Sequence, residues 1–573
     1  MISKIKTKIP ENYKNVYRDI MYNVDARLNR IYLLSKDHDQ LMRRIVAEAD
    51  AYVVENNIPK RKRIVYPTSY LHVRFNRVVD YILALSLKLR GAELIPVLCN
   101  GFHTEQCPVW AGAFVTDFAQ QCRKTCNDPA RILWEEILGY QPLKLTDYRD
   151  KGDRNIAEQA IAGINHENYG DYMFNGYEVG HQVAEVVANN NNLGKVLPGQ
   201  PFEHELRVHG VNAVRMLLAY DRLIKDVQPD VCVGSLHDHY QWSTLYHIAR
   251  NVGISYYSHT MIEKSGCVHF GKNVDRVCEV IGAWPSFRET PIGPETWQKF
   301  DRYMAKKADG KVTCFDIYPE RGAKELEEQK SKLDPDKPIA FFPCNVPWDN
   351  AIHNYCFVSK DKEIIELIHK TVRYFKRHPE FQLIIKAHPY EQTFKSFKFL
   401  PHTLRHILES LDEPLGPNIF FIDADSPISS FDIYPIVDLG IVHSSRSGCE
   451  LAMYGVPVIL TGDNHYRGKG FTIDVSSEEE FYDSIQSVLT HGESKEAVEE
   501  RIQLSRKYWL LYDNHGFVNL NLFNQGWTKP VELLFDSLDD FLPGKNTKLD
   551  YVCDAILSGE PIFGDSRWPP ISL

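Results

Sequence analysis

The chain has 573 residues, 43% hydrophobic and 25% charged, with 33 glycines, 31 prolines and a formal charge of -10. That length exceeds what one hydrophobic core serves, so two or more domains are expected, and the composition excludes disordered and fibrous classes. The acidic balance argues against general nucleic-acid binding and leaves room for a local basic pocket that binds an anion.

No run approaches 18 uninterrupted apolar residues, and "MISKIKTKIPENYKNVYRD" has no apolar signal core. The reading therefore expects a cytoplasmic chain without a spanning helix.

Residues 1–60 read as a helical segment, from the apolar spacing of "LMRRIVAEADAYVVENN". "KRKRIVYPTSY" then runs into a short strand. "FNRVVDYILALSLKLRGAELIPVLCNG" gives a helix, a glycine at its end (Gly91) and a second strand. This βαβ unit predicts a parallel sheet. Around it lie Cys99, Cys107, Cys122 and Cys126. Four thiolates are a structural-metal donor set, but their spacing lacks paired short knuckles, so buried free thiols compete with that reading.

Residues 150–210, with "VANNNNLGK", read as an insertion or a connecting helical region. Helix and strand alternate again through "LLAYDRLIKDVQPDVCVGSLHDHYQWSTLYHIARNVGISYYSHT", completing a Rossmann-like lobe over 61–285. Residues 286–335 are charged and proline-punctuated and read as a linker with an exposed helix. A second series of strands ("PIAFFPC", "FQLIIKA", "NIFFID", "VDLGIVH", "PVILTG") predicts another Rossmann-like lobe over 336–500, and 501–573 reads as a helical and irregular extension. The fold class is α/β: two doubly wound lobes with a cleft between them.

In open parallel sheets ligands sit beyond the carboxyl ends of strands, and two strand ends carry candidate chemistry. One is Lys386, His388 and Pro389, where a cation and an imidazole share a face in a strand end that suits a phosphate. A plain strand stop at proline competes. The other is Ser444, Ser445, Arg446, Ser447 and Gly448, small and donor-rich residues ahead of a helix. There Ser447 and Glu450 also fit an S-x-x-E capping box, which needs no ligand. Tyr466, Arg467, Lys469 and Gly470 form a further polar loop that could close on a ligand.

On the first lobe, "VGSLHDHYQW" ends a strand at His237, Asp238 and His239. Asp238 could serve as general base or nucleophile, either histidine as the base, or Asp238 could simply cap the next helix. An H-x-H pair also suits a metal, with no third ligand identifiable. His259, Glu263 and the stretch 66–77 are further candidate walls of the same cleft.

The ordered set "IIKAHPYE" and "DLGIVHSSRSGCELAMYGVPVILTGDNHYRGKGFT", over roughly residues 336–475, resembles the C-terminal half of the capsule polysaccharide biosynthesis glycosyltransferases, a group that includes capsule Kdo transferases. The resemblance implies a GT-B fold with the nucleotide held by the C-terminal lobe. It places nucleotide and phosphate binding on His388, Pro389, Ser444, Ser445 and Ser447, and a ribose contact on Glu450. Cys449 and Leu451 depart from the residues that many members carry beside that glutamate, which leaves sugar and nucleotide open. The implied activity is transfer from a nucleotide sugar, CMP-linked such as CMP-Kdo, to a carbohydrate or glycolipid acceptor. No cofactor or catalytic metal is expected, and peripheral association with a membrane assembly complex fits such an acceptor. Alternatives are a two-lobed sugar-nucleotide 2-epimerase and a non-catalytic nucleotide-sugar or polysaccharide binder.

Overall fold

The structure is a computed structural model that describes residues 36–68, 74–103, 105–107, 122, 126–191, 193–235, 239–260, 264–273, 282–310, 322–348, 356–358, 364–394, 402–524 and 531–563. The first sheet contains β1 (Lys62–Pro67), β2 (Ala92–Leu98), β3 (Leu143–Lys144), β4 (Val231–Ser235), β5 (Ser255–Thr260) and β6 (Cys267–Lys272). The second contains β7 (Ile339–Pro343), β8 (Gln382–Lys386), β9 (Ile419–Ile422), β10 (Leu439–Val442), β11 (Val458–Leu460) and β12 (Ile473–Asp474).

The second sheet is parallel throughout, in the order β12-β11-β10-β7-β8-β9. β7 and the centre of β8, residues 383–385, read as apolar runs, as expected of parallel strands covered on both faces, and every residue of both strands is buried. The helix Ile364–Arg377 buries Ile364, Leu367, Ile368, Thr371, Val372 and Phe375, a stripe at helical spacing. It packs in one cluster with Phe342, Leu383 and Ile385.

In the first sheet β3-β2-β1-β4-β5 are parallel, and β6 runs antiparallel to β5. Gly91, after the helix Arg74–Lys88, has φ +87°, and a Cβ there would stand 2.1 Å from the Pro59 carbonyl oxygen. Only glycine combines that turn with that contact. The two doubly wound lobes are the GT-B architecture expected from the sequence.

After the helix Lys495–Trp509 the chain returns to the first lobe. β13 (Phe517–Asn519) pairs antiparallel with β6, and the helix Thr547–Ser558 packs on Arg74–Lys88. The Tyr257 hydroxyl donates to the carbonyls of Ala555 (2.9 Å) and Glu560 (2.7 Å), which fixes that last helix to β5. Val552, Ile556 and Leu557 fill the core against the apolar face of Arg74–Lys88. Among the described residues no helix is long and apolar enough to cross a membrane.

Ile556 is fully buried in this junction. Ile556→Ala should lower unfolding free energy by about 2–5 kcal/mol, the range for deleting a buried aliphatic side chain. Urea unfolding followed by tryptophan fluorescence would read it. A loss under about 0.5 kcal/mol, the scale of surface changes, would show that the helix does not carry the first lobe's core.

Candidate functional site

The second sheet reverses direction of growth between β7 and β10: β8 and β9 build outward on one side, β10 to β12 on the other. Such a switch point opens a crevice at the carboxyl edge, because the two following loops diverge. The loop after β7 begins Cys344-Asn345 and the loop after β10 begins His443-Ser444. The β8 end, carrying Lys386 and His388, lies one strand beyond β7. The two candidate strand ends are therefore on one edge, about 10 Å apart by strand spacing, with the β7 loop between them.

Asn345 joins the walls. Its side-chain oxygen accepts from the Ser444 backbone N–H (3.4 Å), and the Cys344 N–H donates to the Lys386 carbonyl (2.9 Å). On the other side the Asn464 amide donates to the Ser444 carbonyl (2.6 Å). The Tyr466 hydroxyl donates to the Ser445 carbonyl (2.6 Å). The serine turn is thus clamped through its backbone from three directions.

The capping box expected from Ser447 and Glu450 does not form. The helix Ser447–Met453 has Arg446 as its N-cap, in helical conformation with no side-chain cap bond. Ser445 replaces the box: its hydroxyl accepts from the Ser447 N–H (3.2 Å) and donates to the Ser447 hydroxyl (3.1 Å). Glu450 turns into the protein instead, buried, accepting from the Tyr434 hydroxyl (2.8 Å) and facing the Lys307 ammonium (3.6 Å). A carboxylate with a buried donor and a half-buried cation has no reason to fold back onto the helix start.

Ser444 differs from its neighbours. Its hydroxyl is buried and has no hydrogen-bond partner among the described residues, and the same holds for the Asn464 side-chain oxygen. Two orphaned polar atoms on either side of one backbone clamp, at a switch point, mark a place where a ligand would supply the missing bonds.

At the β8 end Pro389 opens a short 3-10 turn, Pro389–Phe394, in which its missing N–H costs nothing. The half-buried His388 accepts the Tyr390 N–H at Nδ1 (3.1 Å), so its proton resides on Nε2. Burial, with Lys386 nearby, pulls its pKa down to about 4. His388 is therefore a neutral donor at neutral pH, not a second cation. Lys386 is 4% exposed, and burial pulls its ammonium down to about 8. Glu391 is 3% exposed, and burial pushes its carboxyl up to about 8. One of its oxygens accepts the Leu404 N–H (2.9 Å), while Oε1 is buried and unpaired among the described residues.

Tyr466 is fully buried, and a Cβ on Gly448 would stand 2.2 Å from its hydroxyl, so Gly448 is what lets the ring pass beneath the turn. Arg467 donates to the carbonyls of Leu460, Gly462 and Val475 and so staples the loop to the sheet edge. This loop supports the turn, and Lys469 is its half-buried cation, with a pKa lowered by burial.

On the first lobe the corresponding switch lies between β1 and β4. His237 and Asp238, in the loop after β4, lie outside the described residues, as does Glu263. His239 precedes the helix Tyr240–Asn251 without a side-chain cap bond, and burial lowers its pKa to about 4. His259 does not face a cleft. It is 1% exposed and bonds the Tyr66 hydroxyl (3.1 Å) beside the fully buried Asp80 (3.4 Å), a closed interior group.

Cys99, Cys107, Cys122 and Cys126 are free thiols. Among the described residues no three His, Cys, Asp or Glu side chains come together to hold a metal, so the four-thiolate arrangement does not form. Cys122 instead accepts from the Asn127 amide (3.5 Å), and Cys107 and Cys122 are buried as small apolar groups.

Sequence reasoning missed Asn345, Asn464, Glu391 and Lys307. The first three sit within three residues of a motif already singled out, so a strand-end polar residue was the available signal. Lys307 comes from the linker helix Pro294–Ala308 and gives no local signal.

Residues 301–490, which span the end of the linker helix and most of the second lobe, match the family profile for capsule polysaccharide biosynthesis protein. No curated protein sequence matches the chain. Similar solved structures include the Thermosulfurimonas dismutans KpsC beta Kdo 2,4 transferase, with 14% identity over 55% of this chain and 87% of that one, at TM-score 0.33. The beta Kdo 2,7 transferase of the same KpsC shares 13% identity over 50% and 79%, at TM-score 0.28. UDP-GlcNAc 2-epimerase from Neisseria meningitidis shares 11% identity over 78% and 95%, at TM-score 0.24. Likenesses this low do not bear on the chemistry of the site.

The Lys386–Glu391 pair generates a pH dependence. The folded pKa of Glu391 lies above its ordinary 4.5, so its stabilisation is full below pH 4.5 and is lost as pH rises to about 8. The folded pKa of Lys386 lies below its ordinary 10.5, so its contribution recovers between pH 8 and 10.5. Urea midpoints should therefore fall toward pH 8. Glu391→Gln should flatten the limb between pH 4.5 and 8; an unchanged slope in the variant would show that Glu391 is ionised throughout.

Proposed function

We propose that this protein is a glycosyltransferase of capsule polysaccharide assembly that holds a nucleotide-sugar donor at the β7–β10 crevice. The observation that carries this reading is the unpaired, buried Ser444 hydroxyl, held at a sheet switch point by Asn345 and Asn464. The capsule-family match over the same lobe supports it. Ser444, Ser447 and the Nε2–H of His388 are the donors for the nucleotide phosphate, Ser445 joins the phosphate-binding turn by orienting Ser447, and Lys386 supplies positive charge behind them. As the glycosidic bond to phosphate breaks, negative charge grows on the leaving oxygen, and fixed donors aimed there lower the barrier. Glu450, tied to Lys307 and Tyr434, serves the ribose through the geometry it imposes on the turn.

The acceptor approaches from the first lobe, where the loop after β4 supplies Asp238, His237 or His239 as the base for its hydroxyl. The donor we infer is CMP-linked, with CMP-Kdo as the example, following the ordered HP and serine motifs. The acceptor is a capsular polysaccharide or glycolipid, and the site of action is the cytoplasm, with peripheral contact at the inner face of the membrane.

A thermal-shift comparison of CMP, UDP, GDP and TDP tests the donor. A nucleotide present at about 100 times its dissociation constant should add roughly 2.7 kcal/mol to stability. Ser444→Ala separates binding from structure. Removing an unsatisfied hydroxyl should raise unfolding free energy by about 1–3 kcal/mol, while nucleotide affinity falls about ten-fold. If no nucleotide shifts the melting temperature, or if Ser444→Ala binds as tightly as the wild type, the donor-site assignment fails. Nucleotide binding without consumption of any nucleotide sugar in the presence of capsular acceptors would leave a binding protein instead.

A further inference from the structure

The first lobe holds a cavity of about 420 Å³ that the donor site does not use. Three segments line it: Glu105 in the loop after β2, the helix Asp153–Ala160 with its following turn, and the first half of the helix Phe202–Val227. Glu105 places one wall in the loop that follows the carboxyl end of β2. The Asn212 amide there donates to the Gln106 carbonyl (3.0 Å), tying the long helix to the loop after β2.

Three guanidinium groups and two carboxylates line the cavity, and their pairing is uneven. Arg154 takes both carboxylates, Glu158 at 2.8 Å and Glu105 at 3.5 Å. The nearby buried Asp153 is committed to Arg222. Arg207 and Arg215 are left without an ion pair or hydrogen bond among the described residues. Arg215 lies over the Phe102 ring (5.7 Å to its centroid), and its Nε is buried with no acceptor among the described residues. Ile161 and Val208 supply apolar wall. Arg215 faces Asp153 and Glu105 only through space, and both carboxylates are bonded to other arginines, so two guanidiniums without a direct partner beside apolar wall suit an anion.

We propose that this cavity binds the anionic group, carboxylate or phosphate, of an acidic carbohydrate, with Arg207 and Arg215 as its ligands. The pairing of guanidinium with a flat three-atom anion gives two parallel hydrogen bonds, which a neutral sugar cannot replace. The volume lies in the range of small-ligand sites and holds a chain end rather than a whole polymer. That the occupant is the acceptor rests on the glycosyltransferase reading. The anion preference does not.

Titration calorimetry on the full chain without nucleotide tests it, with trigalacturonate, neutral maltotriose and inorganic phosphate as probes. Trigalacturonate should bind and maltotriose should not. Arg207→Gln and Arg215→Gln should each weaken binding about ten-fold or more. Arg207 is exposed, so its variant keeps the fold, and S444A should bind trigalacturonate like the wild type. Phosphate binding that R207Q abolishes, without trigalacturonate binding, would assign phosphate as the anion. If neither anion binds, if maltotriose binds as well as trigalacturonate, or if R207Q binds both anions undiminished, the assignment is overturned. Because nucleotide binding is read separately, a cavity that binds anions in a protein that binds no nucleotide would remove the donor reading alone.

Discussion

Asp513 is a buried carboxylate at the point where the chain crosses back between the lobes. It lies in the π-helical turn Leu510–His515 that ends the long helix Lys495–Trp509. Burial alone would raise its pKa, yet Lys264, Lys307 and the Tyr303 hydroxyl hold it below the ordinary value. Lys264, from the turn before β6, reaches it at 2.6 Å, and Lys307 and Tyr303 come from the linker helix. An ion so far from water is tolerable only while those partners surround it. The first lobe, the linker and the returning chain are therefore required to meet in one arrangement.

That requirement reaches the serine turn. Lys307, beside Asp513, also faces Glu450 at 3.6 Å, and Glu450 accepts from Tyr434. The same crossing segment stacks Tyr512 on His465, with ring centroids 3.9 Å apart and planes 3° from parallel. His465 follows Asn464, which clamps Ser444. Two independent links, one ionic and one aromatic, join the lobe junction to the turn. A change in lobe orientation would have to break a buried charge contact or slide a stacked pair, so the turn and the junction move together.

The alternating apolar runs made both lobes legible, because a parallel strand covered on two faces has no polar register to confuse it. β7, β8, β10 and β11 were readable for that reason, and so were the loops at their ends. β6 and β13 were not. They add to the sheet antiparallel and far apart in sequence, and β13 is only three residues long, so no local pattern predicts their partnership. The S-x-x-E pattern at Ser447 misled for a similar cause: spacing cannot say that Glu450 has a buried tyrosine and a half-buried lysine waiting on its other side. The four cysteines were open to two readings because composition suggests donors without saying whether they come together, and among the described residues they are free thiols. Arg207 and Arg215 carried no motif, and their significance lies in the pairing of Arg154 with both neighbouring carboxylates.

Within the serine turn nearly every polar group has a structural partner. Ser445 bonds Ser447 through N–H and hydroxyl, its carbonyl accepts from Tyr466, and the Ser444 carbonyl accepts from Asn464. Ser444 is the residue whose own hydroxyl is left out. Leaving it buried and unpaired costs about 1–3 kcal/mol, a substantial part of a domain's net stability. Alanine would fit the same backbone without that cost, since the clamps on Ser444 act through its N–H and carbonyl. A fold that fixes the main chain so thoroughly while leaving one donor unsatisfied has its binding geometry in place before the ligand arrives. The ligand then recovers the missing hydrogen bond at little further cost in ordering the turn.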